Sequence, residues 1–81
     1  MYGNMSDVAR LRHQIVKEME AMRQGFEGFA SGNARHEFIR ARMQNINDHQ
    51  ESLALHIGKN DAAVVVCELY IDTVEKPVRK T

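Results

Sequence analysis

Ile39, Met43, Ile46, Gln50, Leu53 and Ile57 follow one another at alternating steps of four and three. That spacing keeps side chains on one stripe of a helix, and its regularity is that of a helix packed along its length against a neighbour. In heptad terms His36, Met43, Gln50 and Ile57 share one position, and Ile39, Ile46 and Leu53 share the other. Phe38 and Leu55 fall off this line, so a second surface of the same helix is expected to be covered. The pattern predicts a helix over about 34–57, ended by Gly58, which can take the backbone conformation that closes a helix.

A second apolar series precedes it. Val8, Leu11, Ile15, Met19, Met22, Phe26 and Phe29 or Ala30 recur at steps of three or four, while Arg10, Arg12, Lys17, Glu20 and Glu27 fall mostly elsewhere. Ser6 and Asp7 can accept hydrogen bonds from the free amides of a first turn. These features predict a helix over about 6–30, weakened near its end by Gly25 and Gly28. Ala30-Ser31-Gly32-Asn33 interrupts the pattern, with Gly32 suited to closing one helix and Asn33 to capping the next. So short a connection is expected to fold the two helices back as an antiparallel hairpin.

Beyond Gly58, Lys59-Asn60-Asp61 reads as a turn with a cap. The segment after it is ambiguous, because Val64-Val65-Val66-Cys67-Glu68-Leu69-Tyr70-Ile71 is rich in residues that favour strands. Ala63, Cys67, Tyr70 and Val74 are nevertheless helically spaced, and Glu68, Asp72 and Glu75 form an acidic face. A shorter third helix over about 61–75 is therefore expected, stopped by Pro77. The fold class expected is all-α: a long helical hairpin plus a shorter third helix in a single domain over 6–75. Residues 1–5 are expected to be a flexible leader and 76–81 a disordered basic tail.

At 81 residues a chain has little core of its own, and small proteins of this size lean on disulfides, metals or partners. Cys67 is the only cysteine, which excludes an internal disulfide and fits a reducing, cytoplasmic setting. Two helices of roughly 24 residues are each about 36 Å long, and one short helix leaves part of their flank uncovered. Self-association into a bundle is the expected remedy, with a dimer favoured. The residues expected at that interface are Ile39, Met43, Ile46, Gln50, Leu53, Ile57 and Tyr70. Gln50, polar within the seam, is expected to fix register across the bundle.

Eleven Lys and Arg balance eleven Asp and Glu. A neutral chain has no overall attraction to nucleic acid or an anionic membrane. No membrane contact is expected, as the longest apolar run, 62–67, is far too short to span one. Arg35, Arg40 and Arg42, with Arg10, Arg12 and Lys17, offer a possible basic patch, but interspersed acids and the neutral balance favour a solvated face. His13, His36, His49 and His56 lack the spacing of a metal site within one helix. Cys67, in an apolar run, is expected to be a core cysteine, and Met5, Met19, Met22 and Met43 core filling, with a methionine-lined groove for partner peptides the lesser alternative. No phosphate loop, nucleophile elbow or spaced carboxylate pair is present, so neither enzymatic activity nor a cofactor is expected. The leading expectation is an interaction module, an adaptor, regulator or assembly subunit with a possible protein partner. Nucleic-acid binding through the arginines and a metal-binding bundle with ligands shared between subunits are the alternatives.

Overall fold

In a computed structural model, which describes residues 3–28 and 31–75, the chain forms three helices: α1 (Gly3–Gly28), α2 (Gly32–Ile57) and α3 (Lys59–Tyr70). A wider π-helical turn, Ile71–Glu75, continues the last of them. There is no strand among the described residues. The valines of α3 thus adopt helix despite their strand preference. Ala62 is fully buried, and Val65, Val66, Leu69 and Val74 pack on the core. That packing outweighs intrinsic propensities worth a few tenths of a kcal/mol per residue.

The starts of α2 and α3 each have an acceptor from the residue just before the helix. Ser31, rather than the expected Asn33, caps α2: its Oγ accepts the Ala34 N–H at 3.3 Å and its carbonyl accepts the Arg35 N–H at 3.1 Å. Gly32 and Asn33 therefore lie inside the helix. α1 begins at Gly3, ahead of the expected start at Ser6, so part of the expected leader is helical. Met5 lies in this first turn, its side chain outside the described set, and the expected tail at 76–81 lies outside the described residues altogether.

The corner between α2 and α3 is tighter than the sequence suggests. Lys59, Asn60 and Asp61 belong to α3, and Gly58 alone separates the two helices. Its N–H donates to the Ala54 carbonyl and its own carbonyl accepts from the Ala62 N–H, both at 2.9 Å. With φ 94° and ψ 155°, Gly58 occupies a region open essentially to glycine alone. The backbone of Gly58 thus does the capping expected within Lys59-Asn60-Asp61. The Asp61 carboxylate remains in the first turn of α3, where the helix dipole favours negative charge.

The core is one seam. Leu11, Ile15, Met19 and Met22 of α1 meet Ile46 and Leu53 of α2 and Ala62 of α3. Phe26, expected in the same stripe, is 42% exposed, and Gly25 is buried in its place. The reason is helical phase. From Leu11, steps of 3.6 residues arrive nearer to 25 than to 26. On α2 only one of the two heptad positions turns fully inward. Ile46 and Leu53 are buried and Ile39 is half-buried, whereas His36 and Met43 are exposed and Gln50 and Ile57 lie at the margin.

The Cα radius of gyration is 14.0 Å and the extents are 46 × 32 × 22 Å. A core this thin is sensitive to truncation. Leu53→Ala should lower unfolding free energy by about 2–5 kcal/mol, read by urea denaturation followed by circular dichroism. Gly58→Ala should cost roughly 1–3 kcal/mol in the same assay. Nothing lies within 4 Å of a Cβ placed there, so that loss would be conformational rather than a clash.

Candidate interaction groove

Two polar tethers link α1 to α2. The Arg35 guanidinium donates to the Phe26 carbonyl at 2.9 Å. This supplies a partner to one of the last carbonyls of α1, whose final turn contains no basic residue of its own. Farther along α2, Glu18 of α1 accepts from Asn45 Nδ2 at 3.3 Å and pairs with Arg42 at 3.4 Å. The Arg42 guanidinium also lies 4.9 Å from the Phe38 ring centroid, within reach of cation–π attraction. Its Nε is buried without a hydrogen-bond partner.

These contacts decide what the expected basic patch contains. Arg35 and Arg42 are engaged within the chain, as is Arg10, which pairs with Asp7 at 3.2 Å. Arg40 is exposed on α2, beside Glu37 and Gln44. The histidines are scattered, with His13, His36 and His56 exposed and His49 half-buried. Among the described residues no group of three His, Cys, Asp or Glu could hold one metal ion. No helix among them is long and apolar enough to cross a membrane.

An apolar concavity lies beside α3. A groove of about 450 Å³ runs between α2 and α3 over the methionines of α1. Met19 and Met22 form its floor and are buried in the core. Met43, Ile46, Asn47 and Gln50 supply one wall; Ala63, Val66, Cys67 and Tyr70 supply the other. No lining residue carries a formal charge. Three methionines line it, and their unbranched, polarizable side chains adapt to varied apolar surfaces.

Four of the seven residues singled out from the sequence, Met43, Ile46, Gln50 and Tyr70, are brought together in this groove. Leu53 is wholly inside the core, and Ile39 and Ile57 pack at its edge. Cys67 is exposed rather than buried. The sequence placed it in the core because all its immediate predecessors are apolar. Val66 takes the inward position, and Cys67, a further 100° round the helix, turns toward the groove. Ala63 stood in the same helically spaced stripe as Cys67 and Tyr70, whereas Val66 carried no signal of its own in the sequence. Met43 at 57% and Val64 at 53% exposure extend apolar surface beyond the groove.

Comparison with family models, curated proteins and solved structures gives no significant match for this chain. Its geometry must carry the functional argument. One consequence concerns Glu18, which holds Asn45 and a half-buried arginine at once. Glu18→Ala should destabilise the protein by roughly 1–3 kcal/mol, because Arg42 and Asn45 lose their shared acceptor. Chemical denaturation of the two proteins side by side measures this.

Proposed function

We propose that this protein is a non-enzymatic helical interaction module that self-associates and serves as an adaptor, regulator or assembly subunit in the cytoplasm. The observation that carries this reading is the uncharged, methionine-floored groove between α2 and α3. Apolar concavities of this kind are where small helical proteins receive another helix.

In this reading α1 and α2 form an antiparallel hairpin, and a second copy completes the bundle. The tethers support the hairpin. Arg35, near the start of α2, reaches Phe26, near the end of α1. Arg42 and Asn45, farther along α2, reach back to Glu18.

Size exclusion coupled to light scattering tests the reading across a range of protein concentrations. The expected molar mass is twice the 9.3 kDa chain mass, or a higher multiple. A single-chain mass at every concentration would remove self-association from the proposal.

A further inference from the structure

Resting on the self-association just proposed, one corner of the fold points to how two copies join. We infer that Gly58 is a hinge through which two copies exchange α3. In the exchanged form α2 and α3 straighten into one continuous helix, and the α3 of each copy packs on the α1–α2 core of the other.

The backbone carries the first argument. A continuous helix through this corner has bonds from the N–H groups of residues 58–62 to the carbonyls of residues 54–58. The first and last of these already exist, Gly58 to Ala54 and Ala62 to Gly58, both at 2.9 Å. The Gly58 N–H is fixed by α2 and its carbonyl by α3, so rotating φ and ψ of Gly58 alone preserves both bonds. The same rotation pairs the amides of Lys59, Asn60 and Asp61 with the carbonyls of Leu55, His56 and Ile57, groups that the bent corner leaves as helix ends. No side chain caps the start of α3. Leu55, His56, Lys59 and Asn60 are exposed, so the corner is not held bent by packing of its own.

The second argument is how α3 is held. α1 and α2 are joined by polar tethers, from Arg35 to Phe26 and from Arg42 and Asn45 to Glu18. Among the described residues no side-chain hydrogen bond or ion pair joins α3 to either helix. α3 stays in place by the apolar packing of Ala62, Val65, Val66 and Leu69 on the core. Such packing is non-directional and is the same whichever chain supplies the helix. A released α3 puts those residues in water, so the straightened chain needs a second copy, and its own uncovered core receives that copy's α3. The exchange is reciprocal, closes with twofold symmetry and uses contacts the single chain already makes. A short, strained hinge is the condition under which exchange competes with folding back.

Two measurements on the full chain test the inference. Alanine at Gly58 is strained only in the bent form and favours the straight helix. Gly58→Ala should therefore lower the concentration at which light scattering finds half the protein dimeric, by about tenfold or more. The second measurement is a distance within one chain. In a Cys67→Ser background, Gln44→Cys and Glu68→Cys place spin labels on two exposed positions. Refolding the labelled protein with a large excess of unlabelled parent confines electron–electron resonance to labels on the same chain. Along a straight helix the two positions are about 36 Å apart. In the bent form they lie beside Met43 and Cys67 on facing walls of the groove, within about 20 Å, or two helix diameters. The dimer fraction should show the long distance and the monomer fraction the short one.

A dimer whose intrachain distance stays short would overturn the exchange while leaving self-association standing. So would a Gly58→Ala protein that dimerises no more tightly than the parent. A parent of single-chain mass at every concentration would remove the underlying reading, and the exchange with it.

Discussion

One buried apolar cluster holds the three helices together: Leu11, Ile15, Met19 and Met22 from one face of α1, Ile46 and Leu53 one heptad apart on α2, and Ala62 of α3. Every other element takes its position from this seam. α2 is oriented by which of its two heptad positions turns inward. α3 is a helix because its apolar residues find this surface rather than a sheet. The polar tethers from Glu18 and the Phe26 carbonyl flank the seam and refine its alignment, since exposed and half-exposed polar contacts contribute little beside buried apolar area.

A core built on one seam explains the shape. Two long helices of 26 residues each present more flank than twelve residues of α3 can cover. Part of that flank lines the groove, where the floor is core methionine and the walls are the margins of α2 and α3; Phe26, Leu55, Val64 and Ile71 are exposed outside it. A single feature thus joins the core to the surface. Met19 and Met22 are buried in the core and form the floor of the groove.

Period and punctuation were legible in the sequence. The steps from Leu11 to Met22 and from Ile39 to Leu53 mark the core stripe, and Gly58 marks the end of α2. What was not legible came from three physical sources. Ser31 and Asn33 are both good capping residues two positions apart, so local propensity does not choose between them. In 62–67 every residue is apolar, so hydrophobicity alone does not show which face is inward. Val66 and Cys67 were therefore indistinguishable until packing assigned them. Glu18 and Arg42 are brought together only by the crossing of two helices, which no local pattern encodes. The groove shares that character. Its residues were partly visible as Met43, Ile46, Gln50 and Tyr70, but its existence depends on how α2 and α3 are set against each other.

That setting rests on one residue. Gly58 is the whole connection between the two walls of the groove, and its torsions are the only slack between them. Loops of several residues absorb added or lost length by rearranging, and this corner cannot. One residue inserted beside Gly58 changes how α3 is set relative to α2, shifting Cys67 and Tyr70 against Met43 and Gln50. The chain is thus more constrained in length at this point than in side-chain identity. Across natural variants of this fold, the spacing between Leu53 and Ala62 should be held fixed even where the residues between them drift.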